Sequence, residues 1–150
     1  MEELMVKNGF QTTQYIVIQL GDEKYGIDIQ YVDNIVRMQR ITRVPKVAKY
    51  FNGVINLRGE VVPVMNVRIK MGLEEAEETK DTRIIILKVD GMEKIGVIVD
   101  EVREVVELDD SSVEKVAYDS KEDKQVFVNA VGKMGDDLIS LLDLHTVLAE

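Results

Sequence analysis

FNGVINLRGEVVPVMNVRIKMG, residues 51–72, decides how the rest of the chain is read. Val54, Ile55 and Leu57 lead into a turn at Arg58-Gly59, and Val61, Val62, Val64 and Val67 lead out of it. Apolar, β-branched runs on either side of a turn Gly predict strand, tight turn, strand, with a short helix to follow. Pro63 has no N–H to give a ladder, which predicts an edge strand or a bulge at that point.

The chain nearly repeats itself. Gly21-Asp-Glu-Lys-Tyr-Gly26 aligns with Gly91-Met-Glu-Lys-Ile-Gly96, after which Ile27, Ile29, Val32 and Ile35-Val36 face Val97, Val99, Val102 and Val105-Val106. A second match follows in the same order: Gly59-Glu60 and Val61–Val67 against Gly135-Asp136 and Leu138–Leu144, with one extra residue in the second turn. Two related β units are expected. In each, an alternating strand (Tyr15–Leu20; Arg83–Val89) enters a polar Gly turn and returns as a hairpin. In the first unit Asp28 predicts a cap for a helical turn through Val36; in the second the equivalent stretch reads as strand or bend. Short strands broken by Gly turns suit small barrels without exposed edges. The expected fold is mainly β: two small five-stranded SH3-like β barrels sharing an apolar seam, with a few short helices. Residues 1–150 form one domain, with subdomains near 13–73 and 82–148 that exchange terminal elements. Gly72–Asp81 reads as an acidic linker, Asp109–Lys124 as a flexible loop, and Leu144, Val147 and Leu148 as a docking helix.

Composition excludes several classes of function. There is no Cys, so neither disulfides nor thiolate metal sites are available. No stretch approaches the ~18 apolar residues of a membrane span, and the first residues lack the pattern of a signal peptide, so a cytoplasmic location without membrane insertion is expected. A formal net charge of −9 opposes nucleic-acid binding. The acidic runs Glu74–Glu78 and Asp109-Asp110 lack the alternating ligands of a calcium loop. His145 is the single His and has no partner nucleophile or second metal ligand in the sequence, and no phosphate-binding Gly motif is present. No catalytic residue, metal or cofactor is expected, and function must reside in surface.

Arg58 is the leading surface candidate. The repeat sets Met134 opposite it, so a folding role for Arg at that turn should have required Arg in both units. Arg also offers a planar fork of donors suited to interfaces. The competing reading is that Arg58 caps its turn or pairs with Glu60. Val32 and Asn34 cannot share one face of a helix opening at Asp28, so at least one should be exposed. Gly53 and Gly59 read as backbone requirements. Val102 and Val105 read as core, because both match apolar residues of the first unit.

With GDEKYGIDIQYVDNIV (21–36) upstream and GVIVDEVREVVEL (96–108) downstream, the Asn-Leu-Arg-Gly turn resembles the CheW family of chemotaxis coupling proteins. The resemblance runs from about Thr13 to Leu148. It implies the two-barrel architecture and a non-catalytic adaptor. Its partners would be the cytoplasmic helical tip of a chemoreceptor and the regulatory domain of a CheA-type histidine kinase, at receptor arrays under the membrane. In such proteins the Arg of Asn-Leu-Arg-Gly lies on the receptor-facing side, the position of Asn34 is linked to partner binding, and those of Val102 and Val105 are tied to receptor coupling. Asn34 departs from the Glu that many relatives carry. Two other readings stand beside the adaptor: a CheW-like regulatory module of another signalling complex, and a small-ligand-binding β module.

Overall fold

A computed structural model describes residues 6–7, 10–115 and 127–149. The chain divides into two compact units, Gln30–Val102, and Met1–Ile29 together with Arg103–Glu150.

In the continuous unit, β4 (Val32–Arg37), β5 (Phe51–Leu57), β6 (Glu60–Asn66), β7 (Arg83–Leu87) and β8 (Ile95–Val99) form one sheet, ordered β4-β7-β8-β6-β5. All neighbours are antiparallel except β6 and β8, which run parallel with Val64 opposite Gly96. Just past β4, Thr42 bridges to Val54 on β5 through two 2.8 Å backbone hydrogen bonds, which bends the two edges of the sheet towards one another. Inside, Ile55, Val62, Val64, Ile84 and Ile86 form a buried cluster, with Val36, Met38, Ile41, Leu57 and Ile98 packed against it. A single turn of helix, α1 (Val67–Lys70), follows β6 and is capped by the Asn66 side chain, which accepts from the Ile69 N–H at 3.2 Å.

The discontinuous unit uses β1 (Val6–Lys7), β2 (Phe10–Leu20), β3 (Glu23–Asp28), β9 (Glu101–Asp109), β10 (Val113–Lys115), β11 (Val128–Met134) and β12 (Asp137–Leu142). The order is β1-β2-β3-β12-β11-β10, with β9 also on β2. β1 and β10 are short, leaving five principal strands. Val17, Val106, Leu108, Ala130, Ile139 and Leu141 make its core. After β12 comes a single-turn helix, α2 (Leu144–Val147), and Leu144, Val147 and Leu148 are buried there, as their spacing predicts.

The packing units differ from the chain halves 13–73 and 82–148 by an exchange of elements. The reason lies in the parallel ladders: β3 of the first half pairs with β12 of the second, and β8 of the second pairs with β6 of the first. The two ladders are equivalent under the repeat, Gly26 standing opposite Leu141 as Gly96 stands opposite Val64. A Cβ on Gly26 would lie 2.7 Å from Leu141, and one on Gly96 2.8 Å from Ile84, so the final Gly of each Gly-x-Glu-Lys-x-Gly motif makes room for packed side chains.

Three local expectations change. Ile29–Tyr31 is a 3-10 turn and Val32–Arg37 a strand, not a helical turn through Val36, because the apolar pattern of Val32, Ile35 and Val36 also serves an edge strand laid along β7. Pro63 sits in the interior of the sheet rather than at an edge; it is tolerated because the parallel ladder to β8 begins only at Val64. Asp109–Ser112 is an ordered turn, with the Asp109 carboxylate accepting from the Ser111 and Ser112 N–H groups, and Val113–Lys115 is strand; 116–124 of the expected flexible loop lie outside the described residues. The hydrogen bond from Ser111 is the main cause holding the Asp109 pKa below the usual carboxylate value. Residues 73–79 carry neither helix nor strand, as the acidic linker predicts. Arg68 fixes their start, donating to both Asp100 carboxylate oxygens and to the Glu74 carbonyl at 2.8 Å.

The tightest point of the continuous unit is Gly53, at φ 143°, where a Cβ would stand 2.0 Å from the Thr42 carbonyl oxygen. Gly53→Ala should therefore break the Thr42–Val54 bridge and cost more than about 3 kcal/mol of unfolding free energy in denaturant titration.

Candidate functional site

The β5–β6 turn is a two-residue hairpin loop, because Leu57 pairs with Glu60 across it. Arg58 has φ 53° and Gly59 φ 82°. Positive φ at both central residues is the signature of a type I′ turn, whose twist matches the flanking strands and which favours Asn-Gly or Gly-Gly. An Arg in the left-handed region is uncommon and strained by about 1 kcal/mol or more. The turn is capped without it: Asn56 Oδ1 accepts from the Gly59 N–H at 2.9 Å. Nor does Arg58 pair with Glu60, which faces Lys94 at 3.4 Å instead. Among the described residues the exposed Arg58 side chain has no hydrogen-bond or ion-pair partner.

The strand register also revises the comparison with the second unit. Met134 pairs with Asp137, so the β11–β12 loop is likewise two residues, Gly135-Asp136, with no extra residue. Met134 is the counterpart of Leu57, and the counterpart of Arg58 is Gly135, at φ 63°. The sister turn thus carries Gly where this one holds a strained Arg. Such a choice fits a side chain kept for something other than the turn.

Lys94 draws other candidates to the same end of the unit. Its Nζ lies 3.5 Å from Asp33 on β4 and 3.4 Å from Glu60 on β6, and Asp33 first, then Glu60, raises its pKa. This ties the Val32–Asn34 stretch to the Arg58-Gly59 turn. Val32 and Asn34 are half-buried, alternating with exposed Asp33 and Ile35, and the Asn34 amide oxygen accepts from the Ile35 N–H at 2.9 Å. Gly59 has open space about it, so its role there is its φ. Gly53 lies towards the opposite end of β5 and serves the Thr42 bridge. Val102 is half-buried. Val105 belongs to the other unit and is 52% exposed, not core: β9 alternates there, and it is Val106 that turns inward.

Two features escaped the sequence reading. Val61 and Leu138 hold the same place after their turns and are 64% and 62% exposed, a matched pair of apolar side chains in solvent. The signal was present in the repeat, but alternation alone did not say which face was inward. The second is charge. Arg37, Arg40, Arg43, Lys46 and Lys49 recur every third residue, and Asn34–Gly59 contains no carboxylate at all in a chain of net charge −9. Reading the net charge alone concealed that local excess. His145 lies exposed on α2, 4.0 Å from Asp143, and no cluster of three metal-ligating side chains occurs among the described residues.

Residues 14–150 match the family described as CheW-like domain. A chemotaxis protein CheW from Bacillus subtilis is 37% identical over 133 residues, covering 89% of this chain and 85% of that protein. One from Helicobacter pylori is 30% identical, with coverage of 92% and 82%. Among solved structures, a scaffolding protein, TtCheW, from Thermoanaerobacter tengcongensis superposes with a TM-score of 0.83 at 34% identity, covering 93% of this chain and 90% of its own.

If Arg58 serves no folding purpose, Arg58→Gly should change the unfolding free energy by less than about 1 kcal/mol, relief of left-handed strain offsetting the added freedom of Gly in the unfolded chain. Chemical denaturation checks this; a loss of several kcal/mol would return Arg58 to a structural role.

Proposed function

The chain belongs to the CheW family, and from that membership we propose that it couples the cytoplasmic helical tip of a chemoreceptor to the regulatory domain of a CheA-type histidine kinase. Family membership itself makes it a non-catalytic chemotaxis adaptor. No helix among the described residues is long and apolar enough to cross a membrane. The proposed place of work is the cytoplasm, at receptor arrays reached through the partners.

The observation that carries the reading is Arg58: exposed, unpartnered among the described residues, and held at a strained φ where its sister turn uses Gly. A guanidinium so placed has its donor fork free for carboxylate or carbonyl groups along a helical tip. Val32 and Asn34, tied to this turn through Lys94, extend the same receptor contact. Asn34 contributes hydrogen bonding rather than charge. Gly59 keeps the turn open, and Gly53 acts by holding the strand that carries it. Val102 and Val105 are assigned to coupling as well, and Val105 has the exposure that a direct contact requires.

The kinase regulatory domain is assigned to the apolar ends of the hairpins. Val61 and Leu138 offer one exposed anchor on each unit, as end-to-end packing of related β domains requires. Interfaces of this kind rest on a few apolar anchors within modest areas. The adaptor then acts by biasing the kinase equilibrium through packing, with no chemistry of its own.

Titration calorimetry against the purified kinase regulatory domain tests the first half of the proposal. Micromolar or tighter binding is expected, weakened at least about tenfold by Val61→Asp. Arg58→Ala should leave that binding within about twofold yet weaken capture of a receptor-tip fragment at least about tenfold, and His145→Ala should alter neither. A folded protein that binds neither partner would refute the adaptor assignment to this pair.

A further inference from the structure

An open cavity of about 850 Å³ lies beside the start of β5, formed by the 43–52 segment with Ile69 and Glu75, wholly within the continuous unit. Four properties of its wall are independent of the Arg58 turn. Arg43, Lys46 and Lys49 line it against the single carboxylate of Glu75, and the side chains of these three cations have no ion-pair or hydrogen-bond partner among the described residues. Phe51 and Ile69 supply apolar surface, and Val44 and Val47 stand exposed at the same wall. Asn52 Oδ1 is buried there with no hydrogen-bond partner, an acceptor whose desolvation is uncompensated by about 1–3 kcal/mol. Lys46, at φ 62°, is with Arg58 one of two non-Gly residues at positive φ among the described residues. It follows Pro45, where a type II turn would ordinarily place Gly or Asn.

We infer that this cavity binds an acidic peptide segment of a partner protein, with an apolar side chain as its anchor. The charged and the apolar parts of the wall each call for one part of such a ligand. Glu or Asp side chains meet Arg43, Lys46 and Lys49, and a Leu, Ile or Phe lies against Phe51, Ile69 and Val47. An inorganic anion offers no apolar part, and a basic or neutral peptide leaves the three cations unpaired. The local excess of positive charge within a chain of net charge −9 also sorts partners, attracting acidic segments to this one face. The site does not rest on the adaptor assignment; it stands whether or not the Arg58 turn meets a receptor.

The test is an NMR titration of the full chain with a panel of short capped peptides, each a single Leu, Ile or Phe flanked by Glu and Asp. Parallel panels replace the acids by Gln and Asn, or by Lys. Saturable shifts confined to 43–52, Ile69 and Glu75 are expected with acidic members, weakening as salt rises. The triple variant R43Q/K46G/K49Q, in which Gly relieves the Lys46 strain, should keep its melting temperature and lose at least about tenfold in affinity. No saturable shift with any acidic peptide up to about 5 mM would overturn the proposal. So would equal binding of the Gln/Asn panel, or an unweakened triple variant. Shifts that grow with protein concentration alone would give the cavity to a second copy of the chain and overturn it equally.

Discussion

Two short parallel ladders hold this molecule to its topology. Tyr25 and Gly26 pair with Ser140 and Leu141, and Val64, Met65 and Asn66 pair with Gly96, Val97 and Ile98. Without them β3 and β6 would each be left with an unpaired edge, and the β2–β3 and β5–β6 hairpins would each lose a neighbouring strand. With them each hairpin gains a neighbour from the other half of the sequence. At Gly26 and Gly96 a single added methyl group would press on a packed side chain, Leu141 or Ile84, which would have to shift. Every other feature, the turns included, is positioned by sheets that these ladders complete.

The β5–β6 turn illustrates how such a frame is used. A type I′ turn needs left-handed backbone at both central positions, and strands fixed on both sides by ladders can impose it on an unsuitable residue. Arg58 accepts that conformation while Asn56 does the capping and Lys94 occupies Glu60. The side chain is thus released from local duties by its neighbours. Lys46, after Pro45, is the one other described non-Gly residue at positive φ, and it too is an exposed cation.

Much of the local structure was legible in the sequence because its causes are local. Alternation of Val and Ile marked the strands, Gly marked the turns, and the spacing of Leu144, Val147 and Leu148 marked the last helix. What escaped depends on partners remote in sequence. Val32–Arg37 satisfies helical and strand periodicities alike, and only its neighbour β7 decides between them. The partner of Arg58 was misplaced by one residue because loop length is set by strand register, which one strand cannot reveal. An exchange of terminal elements between the halves was expected, but which strands pair across it was not legible, as nothing in β3 names β12. At the site, Arg58 stood out through its motif, whereas Val61, Val105 and the cavity beside β5 required knowing which faces the sheets turn outward.

The division of the chain has a consequence during synthesis. Residues 30–102 are contiguous, so this unit holds all its strands well before translation ends. The β2–β3 hairpin, made first, must wait for β12, which leaves the ribosome more than a hundred residues later. At bacterial elongation speeds that interval is on the order of ten seconds, far longer than a hairpin needs to form. Throughout it β3 carries an unpaired edge, the kind of surface that invites pairing with a neighbouring nascent chain. The charges of Asp22, Glu23 and Lys24 at the tip of that hairpin are well placed to keep such neighbours apart on the polysome.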